Sequence, residues 1–281
     1  MIRVTETIKK IIQQKDAKLL EGPEAMRQLL SRLREQVARD LGQAALGSWD
    51  SYSLKQTLYA IERRLADYDL SAKKEISGQV KSMWDLGQES VYKPLNEGGI
   101  YTGFNISRSS LAALENFAIK KIGRVNANLM SKIETEIHLG ILGKSPQQVS
   151  KAIGAMLPEG PLVVKGRTIF TNAAQRAEFI TKTEMGRVFS EAANLRRAKA
   201  AEYVDDLLKV WRHGHPKVPR PTHLAADGVA VPENKPFPVR DKNGYQLMRP
   251  LDPNADFSEV ANCKCYTFTW AKRWGEVPKA A

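Results

Sequence analysis

Cysteine and histidine are scarce in this chain: 281 residues contain two of the first and four of the second, and aromatic residues make up only 7%. Two cysteines cannot form the disulfide framework that small secreted domains rely on, which leaves a metal site, a redox pair or reduced thiols. No run of about 18 apolar residues occurs, so a transmembrane helix is excluded. The opening MIRVTETIKK lacks the apolar core of a signal peptide, and synthesis and folding in a host cytosol are expected, with no membrane partner. The chain has no HExxH, GxSxG or GxGxxG pattern and no HNH-type arrangement around its histidines. GILGKS, Gly140 to Ser145, imitates the end of a phosphate-binding loop. His138 stands where that loop needs its first glycine, and the preceding segment is helical, so it reads as a helix stop and restart. These absences support a non-enzymatic protein.

The composition is otherwise that of a globular chain, 42% hydrophobic and 26% charged. Forty-three Lys and Arg against 31 Asp and Glu give a formal charge of +12 and a pI near 9.6. Such a surface is drawn to polyanions, but no long basic run concentrates the charge, so contact with double-stranded DNA would be non-specific.

The first two thirds read as helices. In PEAMRQLLSRLREQVARDLG, Leu29, Leu30, Leu33, Val37 and Leu41 keep helical spacing, with Pro23 in a first turn and Gly42 as a stop. SLKQTLYAIERRLADY and QVKSMWDLGQESV predict two further helices. A loop rich in Gly and Asn, Pro94 to Asn105, marks a boundary. Leu111, Leu114, Ala118, Ile122, Val125, Leu129, Ile133 and Ile137 then predict a helix of about 30 residues. Ser145, Pro146 and Gln148 form a capping box for a short helix, PEGPLVVKGRTIF suggests a loop or small hairpin, and Asn172 with Gln175 could cap a long helix running to about Tyr203.

Beyond that helix the texture changes, with both cysteines, three of the four histidines and many prolines in the remaining residues. LLKVWRH reads as a strand, DKNGYQ as the turn of a hairpin between FPVR and YQLMR, and CKCYTFTW as a final strand. The expected fold class is α+β, mostly helical, with a long-helix body followed by a small C-terminal α+β module. Along the chain this divides into an N-terminal helical region 1–100, a long-helix region 101–204 and a small Cys/His module 205–281.

An extended CKCYTFTW puts Cys263, Cys265, Thr267 and Thr269 on one face, with Tyr266, Phe268 and Trp270 on the other as the core face. Both sulfurs then point together away from the core, which suits two thiolates binding one soft cation, whereas a disulfide across a single residue would be strained. Zinc needs two more ligands, and RHGHPKVPRPTH offers His213, His215 and His223. The candidate metal ligands are Cys263, Cys265, His223 and His215, around a structural zinc; a pair of reduced, partly buried thiols and a redox pair are the alternatives.

Glu184 places a carboxylate between Ile180 and Val188 on an otherwise apolar helix face, with Arg187 one turn away. A buried carboxylate must be paired or neutralised. The structural reading is an ion pair locking this helix to the C-terminal module through Arg220; a catalytic carboxylate is the other. Asp227 and Gly228 suit a turn.

The order of these signals, TKTEMGRVF, KVWRHG, RPTHLAADG, VPENKPF, RPLDPNAD and ANCKC, resembles the phage head morphogenesis family, the Mu protein F-like and SPP1 minor-head-like proteins. The family pattern is matched at Thr183 and Glu184, Trp211, Arg220, Pro221 and His223, Asp227 and Gly228, Pro236 and Phe237, Asp252 and Pro253, and Asn262, Cys263 and Cys265. The resemblance covers about residues 110 to 268. It departs from the family at His215 and Pro216, where an acidic residue is common, and at Leu251, where the family has glycine.

The resemblance implies a minor head (capsid) protein of a tailed bacteriophage, in the virion head after assembly in the host cytoplasm. Its partners would be the portal protein or the major capsid protein, with possible DNA contact. In this reading Cys263 and Cys265, with His223 beside them, close the module's fold rather than perform chemistry. The alternative is a zinc-dependent hydrolase or nuclease using the His/Cys cluster with Glu184 as base.

Overall fold

The computed structural model describes residues 2–46, 50–104, 106–156, 162–164, 167–169, 173–214 and 218–278. It is a mostly helical α+β fold with a small antiparallel sheet near the C-terminus. Helix α1 spans Ile2–Leu46 and α2 Ser51–Glu97, followed by α3 (Ser109–Ile141), α4 (Pro146–Met156) and the antiparallel pair β1 (Leu162–Val164) and β2 (Arg167–Ile169). After α5 (Ala173–Ala201) come β3 (Leu207–Arg212), α6 (Pro221–Ala225), β4 (Ala230–Pro232), α7 (Phe257–Val260), β5 (Tyr266–Ala271) and a 3-10 turn at Lys272–Trp274. By contacts the chain groups into two compact units, each discontinuous in sequence. One comprises Met1–Leu20, Gln79–Glu115 and Lys182–Ala281, the other Glu21–Gly78 and Asn116–Thr181. The segments 1–100, 101–204 and 205–281 follow the order of elements along the chain rather than these units.

The N-terminal helices are longer than their local signals. Pro23 does not open α1 and Gly42 does not close it; both lie inside a 45-residue helix. An interior proline costs one backbone hydrogen bond. The stripe of buried positions Val4, Ile11, Lys15, Pro23, Met26, Leu30, Leu33, Val37 and Leu41 runs through it nonetheless, so burial outweighs the local break. The two helices expected between Ser53 and Val91 are one, α2, because Tyr68, Ala72, Ile76, Val80 and Met83 carry the buried stripe across the gap between them. Asp50 caps α2 by accepting the Ser53 amide at 2.8 Å. Pro94 belongs to the last turn of α2, so the loop begins later than its composition suggests.

The second unit buries the middle of α1, the first half of α2, Ala118, Ile122, Val125, Leu129, Ile133 and Ile137 of α3, and Val149 and Ile153 of α4. The capping box is present: the Ser145 amide donates to Gln148 Oε1 at 2.9 Å and the Gln148 amide to Ser145 Oγ at 3.3 Å. Asn172, the other expected cap, lies outside the described residues.

In the first unit the sheet order is β4-β3-β5, antiparallel throughout, with Val210 opposite Phe268 and Trp211 opposite Thr267. Alternation sends Val210, Phe268 and Trp270 into a core with Val4 of α1, Val91 and Leu95 of α2, and Ala193 and Ala200 of α5. The opposite face is not open to solvent, as one-sided aromatic patterning suggests: Thr267 and Thr269 are buried too. Residues 221–261 fold back over that side and build a second core of Trp211, Ala226, Phe237, Val239, Leu247, Leu251, Val260, Cys263 and Cys265. The expected hairpin around Asn243-Gly244 reduces to one bridge, Arg240 with Gln246, about a turn in which Gly244 takes φ 84°.

Two predictions follow from this packing. A Cβ on Gly87 of α2 would stand 2.6 Å from the Phe189 carbonyl oxygen and 2.7 Å from Ala192 Cβ. Gly87→Ala should therefore destabilise by roughly 1–3 kcal/mol in urea unfolding, although alanine is the better helix former by about 1 kcal/mol. On β3, burial pushes the Lys209 ammonium down to about 8 from its ordinary 10.5, while its Nζ donates to the Met248 carbonyl at 2.8 Å. The folded state then sheds this proton before the unfolded state does, so it holds fewer protons between those values. Relative to Lys209→Met, the native chain should gain stability as pH rises from about 8 towards 10.5, measurable by paired urea titrations.

Candidate metal centre

The site is assembled from three short segments, and one arginine joins two of them. Arg220 precedes α6, with Pro221 supplying a preset φ in the first turn. Its Nε donates to the Ser258 carbonyl at 2.8 Å and its Nη2 to the Ala261 carbonyl at 2.6 Å. These carbonyls flank Glu259 on α7 and precede the cysteines, so the clamp brings α7 and the cysteine turn to the start of α6, three residues before His223. Arg220 therefore does not serve Glu184, as the sequence suggests; its donors hold main-chain carbonyls. Glu184 is buried and lies 3.7 Å from Arg187.

Two aspartates set the path of the chain into the site. Asp241 accepts the amides of Asn243, Tyr245 and Asp256, each at 2.9 Å, and these bonds hold its carboxyl below the usual range. Asp256 caps α7 by accepting the Ser258 amide at 2.9 Å and hydroxyl at 2.7 Å, which with Lys242 pulls it down to about 2. After α7 the chain turns through Asn262, at φ 52°, and the regular strand starts only at Tyr266. The cysteines thus lie in the turn before β5, not within it. Their sulfurs still converge.

His223 Nδ1 is 3.5 Å from the sulfur of Cys263 and 3.5 Å from that of Cys265. Its other nitrogen, Nε2, is 2.8 Å from Glu259 Oε2. An ionised carboxylate only accepts, so Nε2 carries the proton and Nδ1 turns its lone pair to the two sulfurs. Trp211 meets the imidazole edge-on, with ring centres 5.2 Å apart. All of this is buried: relative exposure is 1% for His223, 9% for Cys263 and 6% for Cys265.

The sulfurs are not equivalent. Cys265 is pulled down to about 4, first by a hydrogen bond from Cys263 and then by His223 and the Gly214 amide. Cys263 is pushed up because it donates to Cys265 and is buried. Without a cation the pair therefore shares one proton; a cation would displace it. The donor atoms of His223, Cys263 and Cys265 all lie within 4.8 Å of one another, and the cluster can hold a metal ion.

His215, the fourth expected ligand, lies outside the described residues. His213 is buried and outside the cluster; its amide donates to Asp227 Oδ1 at 2.8 Å. Asp227 stands at a turn, as expected, where Gly228 takes φ 79° and donates its amide to the Trp211 carbonyl at 2.9 Å. The residue that sequence reasoning missed is Glu259. Nothing in FSEVANCKC marks this glutamate from any other helix-surface acid; its position four residues before Cys263 is the one available signal. A separate cavity of about 630 Å³, lined in part by Trp84, Gln88 and Tyr92 of α2 and Arg196 of α5, shares no residue with the cluster.

No family model, curated protein or solved structure matches the chain.

A Cβ on Gly214 would stand 2.2 Å from the Lys264 carbonyl oxygen, between the two cysteines. Gly214→Ala should push that turn away from His223 and destabilise by roughly 1–3 kcal/mol. In thermal unfolding the loss should exceed that of an alanine placed at the uncrowded Gly154.

Proposed function

We propose that this chain is a minor head protein of a tailed bacteriophage, associated with the portal or the inner capsid surface, and that His223, Cys263 and Cys265 hold a structural zinc ion that closes its C-terminal module. The observation that carries the zinc reading is the pair of 3.5 Å separations from one imidazole nitrogen to two sulfurs. Tetrahedral zinc with ordinary Zn–N and Zn–S bonds requires an N···S edge of about 3.6 Å. Glu259 supplies the carboxylate behind the histidine that orients metal-bound imidazoles. Zinc in such a site contributes folding energy directly, which a module with little apolar core needs.

The head-protein reading rests on the resemblance, and the structure supports it through what the matched residues do. Arg220, His223, Asp227, Asp252 and the two cysteines are all engaged in holding the module's loops together. Leu251 occupies the position of the family's glycine and adopts φ 59°, the left-handed conformation that glycine enters freely. Burial of the cluster favours holding over turnover. The function then lies in surfaces that dock on portal or shell. The excess of Lys and Arg is shared by both units, which suits weak, sequence-independent contact with packaged DNA.

Elemental analysis of the purified chain should find about one zinc per chain, and Cys263→Ser or Cys265→Ser should release it while loosening the C-terminal module more than the helices. A chain free of metal with both thiols titrating in the folded state refutes the zinc site. The chain should be found in infectious particles, and particles made without it should assemble shells but fail in head completion or DNA retention. Recovery only from soluble extract, or a Glu184→Gln variant that enters particles normally but loses a catalytic turnover, would favour the zinc-hydrolase alternative instead.

A further inference from the structure

We propose that Lys15, about 250 residues from the cysteines in sequence, is the counter-charge of the metal centre: its buried ammonium on α1 stabilises the dithiolate, metal-loaded form, so that zinc affinity depends on the first helix. The proposal rests on the zinc reading above and extends it to a residue outside the module.

Lys15 lies on the inward stripe of α1, otherwise formed by Val4, Ile11 and Met26, and is 3% exposed. An ammonium in such a place needs compensation. Its side-chain partner on the same helix is Asp16, at 3.0 Å, but Asp16 is 61% exposed and water screens most of its field. The ammonium instead stands over the face of Tyr266, 4.2 Å from the ring centre, with the Phe189 ring of α5 at 6.0 Å. Tyr266 directly follows Cys265, and both sulfurs lie within electrostatic reach of Lys15, favouring its charged form.

The charges at the centre explain why a cation belongs there. Zinc with two thiolates is neutral, and Glu259, ionised against His223, leaves an excess negative charge in a buried place. Arg220 also reaches Cys263, but its Nε and Nη2 already donate to the Ser258 and Ala261 carbonyls. Lys15 supplies a positive charge without becoming a ligand. Groups just outside a metal's ligands typically change its affinity 10- to 100-fold.

The test uses the full chain loaded with zinc and titrated with a competing chelator at fixed pH. Lys15→Met, similar in length and uncharged, should bind zinc about 10- to 100-fold more weakly, and Lys15→Arg should stay within about threefold of the native chain. The urea midpoint of the metal-free chain should be unchanged or raised by Lys15→Met, since a buried charge is removed; a purely packing role would lower it. Lys15→Gln repeats the comparison if the methionine variant does not fold. Equal zinc affinity in the native and uncharged variants, or an arginine variant as weak as methionine, overturns the role of Lys15 alone. A native chain that takes up no zinc overturns the centre itself.

Discussion

A single imidazole, committed through both its nitrogens, organises the C-terminal module. His223 gives Nε2–H to Glu259 and faces Cys263 and Cys265 with Nδ1, so α6, α7 and the turn before β5 meet at one ring. A ring with one free nitrogen could rotate or change tautomer; this one can do neither without breaking a bond to a buried partner. Trp211 closes the remaining side and ties the ring to the central strand of the sheet.

The segment between β4 and β5 has little regular structure, yet its path is determined. Buried aspartates do the work that strands do elsewhere. Asp241 accepts three main-chain amides, and Asp252 accepts those of Met248 and Asn254 together with the Tyr245 hydroxyl. Each bond satisfies a donor that a loop folded over a sheet would otherwise bury unpaired. Leu251 shows the same economy. Its left-handed backbone is unfavourable for a branched side chain, and its burial against the second core, where Gly186 leaves it room, offsets the strain.

The same core explains why the cysteines matter although they lie outside the strand. A sheet of three strands covered on one side by helices has a second face to protect, and here irregular chain protects it. Apolar burial there is limited to a handful of side chains. Cross-links by charge, hydrogen bond and a bound cation are the remaining way to hold such a cover in place.

Helix existence was legible from short-range order alone. Leu33, Val37 and Leu41, or Ile122, Val125 and Leu129, announce their helices because burial repeats every three or four residues, and Ser145 with Gln148 announces a cap because both partners lie within one turn. Convergence of Cys263 and Cys265 was legible as well, since one intervening residue leaves few ways to separate them. Helix ends were not: Pro23 and Gly42 act locally, while the stripe that overrides them is sustained by packing along the whole helix. Nor were the partners of the polar residues. Arg220 reaches the Ser258 and Ala261 carbonyls, Glu259 reaches His223, and Lys15 reaches Tyr266 across sequence distances on which local pattern carries no information. A buried polar group takes whichever partner the folded path presents, and only tertiary structure decides that path.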